Sequence, residues 1–235
     1  YLIQTTIQSF MKYSNLTTDS NSTIKRFSHK SRHVHCNFLV KKIKYKNFLD
    51  FGTGDGQLFD YLELNNKKYF AYEPYKKMYA QFKKKKIKKV KLITNKKNLK
   101  KNYYDLITVN EVFEHLSTKN EDEVIKILKS ISKKKSKIII SVPIEIGLSS
   151  FFKNIIRVIS NQSHENLSIS NFLKSILYMK INRGKKKYYK SHIGFNYLDL
   201  KKKLNKNFKI EEISYTPFDF FKSLLNSQIF LICSL

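Results

Sequence analysis

Apolar and polar positions follow two rhythms along this chain. Residues 24–43 carry apolar side chains at helical spacing, and Ile24, Phe27, Val34, Phe38 and Leu39 are expected to face a core. Residues 1–23 are polar and weakly patterned, and read as a lead-in or a short cap helix. The rhythm then changes. Asn47-Phe48-Leu49-Asp50-Phe51 reads as a short strand that runs into Gly52-Thr53-Gly54-Asp55-Gly56, with helical sequence from Gln57 to about Leu64. A second strand, Tyr69–Tyr72, ends at Glu73-Pro74. Pro74 suits the first turn of the next helix, where a missing N–H costs nothing. Val90–Thr94 and Tyr104–Asn110 read as the third and fourth strands. Residues 121–132 form an amphipathic helix with Val124, Ile127, Leu128 and Ile131 on one face. Ser136–Val142 is the near-continuous apolar run of a strand buried on both faces.

Strands alternating with helices predict a parallel sheet covered on both sides. Residues 148–191 break the alternation with two helices and the basic loop Arg183-Gly184-Lys185-Lys186-Lys187. The pattern returns with a helix at Leu198–Leu204 and strands at Phe208–Tyr215 and Gln228–Ser234, expected to form an antiparallel edge pair. The organisation expected is an N-terminal helical cap (1–45), a core (46–147), a helical lid (148–191) and a C-terminal completion of the sheet (192–235).

The strongest local signal is the strand, glycine cluster and helix around Asp50-x-Gly52-x-Gly54-x-Gly56. Glycine allows a tight turn and lets a ligand lie against the main chain. A dinucleotide loop places its third glycine one residue later, because a pyrophosphate sits on the helix N-terminus. Here Gln57 holds that slot, and Asp50 would repel a pyrophosphate but attract an ammonium group. The loop therefore fits S-adenosylmethionine (SAM), which has an amino-acid end and no phosphates, better than a nicotinamide cofactor. Glu73 follows about twenty residues on, at a strand end, where an acid binds ribose hydroxyls.

Composition adds a net charge of +28, nearly all of it lysine; the arginines are Arg26, Arg32, Arg157 and Arg183. Abundant Lys, Asn, Ile, Phe and Tyr share AT-rich codons, so codon composition explains the charge more readily than a nucleic-acid surface, for which arginine is preferred. Cys36 and Cys233 give neither a disulfide framework nor zinc spacing. Residues 1–23 show no charged-then-apolar signal pattern, and no apolar run is long enough to span a bilayer; the expectation is a cytoplasmic setting.

Phe48-Leu49-Asp50-Phe51-Gly52-Thr53-Gly54-Asp55-Gly56 resembles the first motif of class I SAM-dependent methyltransferases. Tyr104 to Asn110, continuing Glu111-Val112-Phe113-Glu114-His115-Leu116, resembles their fourth-strand motif, closest to the branch of quinone-biosynthesis, small-molecule and glycan-modifying enzymes. Ser191-His192-Ile193-Gly194-Phe195-Asn196 resembles the same branch. The resemblance implies an α/β, Rossmann-like, doubly wound sheet of seven strands, only the last antiparallel, with a helical cap and lid. It implies that Asp50, Gly52, Thr53, Gly54 and Gly56 line the methionine end of SAM, that Glu73 binds the ribose, and that Asn110 and Glu111 sit near the sulfonium. The family often has an acid after the third strand, near the adenine; here Asn95 stands there, and its carbonyl would accept the same hydrogen bond.

Methyl transfer from a sulfonium is an in-line displacement, so holding the reactants in line supplies much of the rate. A hydroxyl acceptor also needs a base, and His115 and His192 are the candidates. His29 and Arg32 share a face of the first helix, where Arg32 would pair with the methionine carboxylate. The histidines at 29, 33 and 35 lack a carboxylate or thiolate at matching spacing, so no metal is expected. Phe151, Phe152, Ile155, Ile156, Leu173, Ile176 and Leu177 would wall an apolar pocket in the lid, with Tyr178, Tyr188 and Tyr189 nearby. A lysine-edged lid would also suit peripheral contact with an anionic membrane.

The absence of an Asn/Asp-Pro-Pro-aromatic motif after the fourth strand argues against base N-methylation, and neither cysteine is placed to attack cytosine. The expectation is methyl transfer, with O-methylation favoured, to a small-molecule, glycan or lipid-linked acceptor. The alternatives are an RNA or protein methyltransferase using the lysine-rich surface, a non-catalytic SAM-binding domain, and a nicotinamide oxidoreductase, which the glycine spacing disfavours.

Overall fold

The computed structural model describes residues 23–159, 168–184, 186 and 188–235. The expected lead-in at 1–22, the side chains of Ile24 and Ile156, and Lys185 and Lys187 lie outside the described residues. The described chain forms α1 (Thr23–Lys42), β1 (Asn47–Phe51), β2 (Lys68–Tyr72), α2 (Lys76–Lys84), β3 (Val90–Ile93), β4 (Tyr104–Asn110), α3 (Thr118–Ile131) and β5 (Ser132–Pro143). It continues with α4 (Gly147–Ile159), α5 (Ile169–Ile176), α6 (Tyr197–Asn205), β6 (Lys209–Thr216) and β7 (Gln228–Ser234).

The seven strands form one sheet in the order β3-β2-β1-β4-β5-β7-β6. Strands β1 to β5 pair in parallel, and β7 runs antiparallel to both β5 and β6. The Rossmann-like sheet with an antiparallel last strand is thus present. Because β6 runs in the same direction as β5, the β6–β7 connection emerges at the edge where β1 and β4 end. That edge carries the glycine loop.

Side chains one residue apart along a strand divide between the two faces. Phe48, Leu106, Ile139 and Phe230 pack under Cys36, Leu39 and Val40 of α1. Leu49, Ile107, Ile138 and Leu231 pack under Ile125, Leu128 and Ile131 of α3 and Leu200 and Leu204 of α6. Ser117 caps α3 by accepting from the Asn120 N–H at 3.4 Å, and Asn196 caps α6 by accepting from the Leu198 N–H at 2.9 Å.

Three local expectations change. The helix expected from Gln57 to Leu64 shortens to a 3-10 turn at Gln57–Asp60. Gly56 enters it with φ +79°, and Leu58 and Phe59 turn into the core, where Phe59 stacks on Phe82. Pro74 precedes the cap of α2 instead of lying in its first turn. On α1, Leu39 faces the core as expected, but Phe27, Val34 and Phe38 are more than half exposed. The buried face carries Arg32 and His33 as well as Cys36, Leu39 and Val40, because it covers the polar end of the sheet.

Leu128 is fully buried in the α3 face of the core. Leu128→Ala is expected to cost about 3 kcal/mol of stability, measured by urea unfolding at equilibrium.

Candidate functional site

Two clusters stand at the ends of β1, β2 and β4. The first is built on the glycine turn. The Gly52 and Thr53 N–H groups donate to the Tyr72 carbonyl at 2.8 and 3.1 Å, which pins the turn to the end of β2. Gly52 has φ +78°, and a Cβ there would lie 2.5 Å from a Val112 methyl, so only glycine fits. At Gly54, φ +60°, a Cβ would meet open space. The turn is packed from below and open above, as a ligand cradle requires.

Glu73 closes this cluster. Its carboxylate accepts from the Gly54 N–H and from the Tyr75 N–H, each at 2.8 Å. The group is buried, and burial raises its pKa against the pull of those two hydrogen bonds. Asp50 turns inward from β1 and accepts from the Thr108 hydroxyl at 2.8 Å. Burial raises its carboxyl to about 6, while hydrogen bonds from Thr53 and Thr108 act in the other direction. Asn95, expected near an adenine, uses its side-chain carbonyl to cap its own turn, accepting from the Lys97 N–H at 2.9 Å.

The second cluster grows from β4. Asn110 accepts from the Ser141 hydroxyl at 2.8 Å, so neighbouring strand β5 holds it in place. Its amide lies 3.6 Å from the Cys36 sulfur. Burial pushes the Cys36 thiol up to about 12, which removes it as a nucleophile. Glu111 has φ +55°, a left-handed conformation that is uncommon for a residue with a side chain. Its carboxylate pairs with the Arg32 guanidinium at 2.9 Å in a nearly buried ion pair. Arg32 also contacts His29 Nδ1 at 3.0 Å, so the expected His29–Arg32 face exists, and the acid it holds is Glu111.

Beyond Glu111 the chain makes a short turn at Phe113–His115. His115 Nδ1 lies 2.7 Å from the Tyr189 carbonyl. A carbonyl only accepts, so Nδ1 carries the proton and Nε2 keeps a free lone pair. Burial also lowers the His115 pKa, which favours this neutral form. The Tyr189 N–H donates back to the His115 carbonyl at 2.8 Å, and Tyr188 stacks on the imidazole at 5.0 Å. His192 meets His115 edge-on at 4.9 Å. The segment carrying His192 is tied down by Arg183, which donates to the carbonyls of Glu114 at 2.8 Å and Ser191 at 2.6 Å.

Sequence reading did not single out Glu114. It is fully buried, and neither carboxylate oxygen has a hydrogen-bond partner. Burial first, and the Glu111 charge second, raise its pKa well above the usual carboxylate range. One oxygen lies 4.0 Å from His115 Nε2. Donor atoms of Glu114, His115 and His192 lie within 4.8 Å of one another, a set able to hold a divalent cation. The N-terminal histidines do not converge: His33 stacks on Tyr61, and His35 bonds the Ser214 hydroxyl at 2.8 Å. The adjacent Glu-His pair, and an arginine retained at 183 among so many lysines, were the available signals.

The helices α4 and α5 join through the Ser150–Ser175 hydroxyl bond at 2.8 Å and a Phe151–Phe172 stack. Phe152, Leu173 and Leu177 remain exposed. No helix among the described residues is long and apolar enough to cross a membrane.

A family profile described as a methyltransferase domain matches residues 23–169. No curated protein matches the sequence significantly. Among solved structures, the PH0226 protein of Pyrococcus horikoshii OT3 superposes with TM-score 0.61 at 13% identity, over 97% of this chain and 98% of that one. The 1,6-didemethyltoxoflavin-N1-methyltransferase of Burkholderia thailandensis, solved with 1,6-didemethyltoxoflavin and S-adenosylhomocysteine, superposes with TM-score 0.54 at 10% identity, over 90% and 80%. The plantazolicin methyltransferase BpumL, solved with a pentazolic desmethylPZN analog and S-adenosylhomocysteine, superposes with TM-score 0.55 at 13% identity, over 99% and 91%. At these identities the structures establish a shared fold.

Asp50 supplies a pH test. Its folded pKa is raised to about 6, so its stabilising contribution is complete below the ordinary carboxylate value and is lost as pH rises through about 6. Asp50→Asn keeps the Thr108 bond and cannot ionise. Its melting temperature relative to the parent protein is expected to climb between about pH 4 and pH 7 and then level off. A difference independent of pH would mean that Asp50 is not held in this buried state.

Proposed function

The chain belongs to the methyltransferase-domain family, and on that premise we propose that it moves the methyl group of SAM to a hydroxyl of a small-molecule, glycan or lipid-linked acceptor. It is an enzyme, and SAM is its cofactor. The open face of Gly54 would receive the methionine end. Glu73 would exchange its two backbone partners for the ribose hydroxyls. The Arg32–Glu111 pair stands beside Asn110 at the end of β4, where Arg32 is available to the methionine carboxylate if Glu111 releases it.

The observation that carries the O-methylation reading is the free lone pair on His115 Nε2, turned toward Glu114 and His192. In the proposed step the acceptor oxygen attacks the methyl carbon and the carbon–sulfur bond breaks. His115 Nε2 takes the hydroxyl proton, and S-adenosylhomocysteine leaves. The lid helices α4 and α5 would wall the acceptor, with exposed Phe152, Leu173 and Leu177 as its apolar contacts.

The test is release of S-adenosylhomocysteine against a panel of phenols, sugars and polyprenyl-linked acceptors. His115→Gln is expected to lower kcat about 100-fold or more while leaving SAM affinity within about twofold. Activity should rise with pH to a plateau, with an inflection below the ordinary histidine value, because burial lowers the pKa of the base. His115→Gln should remove that acidic limb. A full rate in the variant would exclude His115 as the base. A rate lost to chelator and restored by a divalent cation would reassign Glu114, His115 and His192 as metal ligands.

A second reading rests on a separate feature. A cavity of about 1010 Å³ at the opposite edge of the sheet has Lys42, Lys44, Lys129, Lys134 and Lys135 in its lining, beside Lys133 paired with Asp105 and Lys137 paired with Glu211. It favours a polyanionic acceptor such as RNA. That reading requires binding that weakens steeply with salt.

A further inference from the structure

The helix α1 is apolar on two opposite faces. One packs on the sheet through Cys36, Leu39 and Val40. On the other, Phe27, Val34 and Phe38 recur at intervals of seven and four residues, which places them within one narrow stripe. They are 53%, 56% and 53% exposed. The stripe continues onto the β6–β7 connection, where the Phe27 and Phe218 rings meet at 6.4 Å. Phe218, Phe220 and Phe221 in that connection are 56%, 89% and 42% exposed. Single exposed apolar residues are ordinary, but a connected stripe of this kind marks a contact surface.

The charge around the stripe selects its occupant. The sequence of α1 contains no Asp or Glu, and Arg26 and Lys30 flank the three apolar positions, while Lys41 and Lys42 at the end of the helix pair with Glu63 and Glu212. Lys222 lies exposed in the connection itself. Asp219, the acid of the connection, is exposed, and its carboxylate accepts from the Tyr215 N–H at 2.6 Å. A second copy docked stripe to stripe would bring two basic rims together, on chains that each carry +28. An anionic surface is complementary to the rim, and an apolar layer beneath it is complementary to the aromatic rings. Aromatic and apolar side chains in a basic surround, without a membrane-spanning helix, are the makeup of an interfacial contact.

We propose that the Phe27–Val34–Phe38 stripe and the Phe218–Phe221 connection form a docking surface for an anionic lipid bilayer. The connection leaves β6 at the edge of the sheet that carries the glycine loop, so docking brings the mouth of the site to the lipid phase. This surface lies outside the lid, and it does not depend on which atom is methylated.

The test is flotation of the full chain with phosphatidylcholine vesicles and with vesicles that also contain phosphatidylglycerol, beside sedimentation in free solution. Retention is expected on the phosphatidylglycerol vesicles and should fall as salt rises. The double substitution Phe220→Ser/Phe221→Ser should weaken it about ten-fold or more, and so should Val34→Ser/Phe38→Ser, with thermal stability unchanged because these side chains are exposed. Absence of retention would overturn the proposal. Retention undiminished by the serine substitutions would also overturn it and leave diffuse lysine attraction as the cause. A lipid-free dimer that the same substitutions dissolve would assign the surface to a second copy of the chain.

Discussion

The site rests on a few backbone hydrogen bonds at the end of β2. The Tyr72 carbonyl accepts from both Gly52 and Thr53, and Glu73, the next residue, accepts from Gly54. Parallel pairing of β1 with β2 makes this possible, because it ends both strands at the same level, with Phe51 opposite Tyr72. The left-handed glycines then fold the loop back over the sheet edge without a steric cost. The Glu73 carboxylate is therefore positioned by the same bonds that shape the glycine loop. The geometry of this corner follows from strand register.

A second constraint couples the turn after β4 to a segment far along the chain. The turn after β4 and the 183–192 segment hold each other through Arg183 and the reciprocal His115–Tyr189 bonds. This fixes the tautomer of His115 and carries His192 to it from far along the chain. Glu114 is the costly member of the group, a fully buried carboxyl with no hydrogen-bond partner. Structures retain such groups where a ligand, proton or ion gives the group a partner. Glu111 pairs with Arg32 in the same region, so the helix α1 is joined to the end of β4 by charge as well as by apolar packing.

Much of the fold was legible in the sequence because strand cores and loops obey local rules. The run Ile138–Ile140 reads as a doubly buried strand, and it is one. Gly52 and Gly54 read as a tight turn from spacing alone, and both have positive φ. The legible part ends where tertiary context decides. Apolar spacing on α1 favoured the Phe27, Val34 and Phe38 face as the core face, but the polar end of the sheet buries Arg32 and His33 instead. The residues after Gly56 have helical composition, yet the burial of Leu58 and Phe59 ends the helix after one turn. His115 and His192 were legible as separate candidates. Their meeting with Glu114 was not, since it depends on how the 183–192 segment crosses the turn.

The most direct test of the account is isothermal titration of the purified chain with S-adenosylhomocysteine, and separately with NADH, repeated on Glu73→Ala. The account predicts binding of the adenosyl ligand, no binding of NADH, and adenosyl affinity weakened about ten-fold or more by the substitution, as expected when a charge-assisted hydrogen-bonding partner is lost. A folded parent protein that binds NADH in preference, or a Glu73→Ala variant that binds the adenosyl ligand as tightly as the parent, would contradict it.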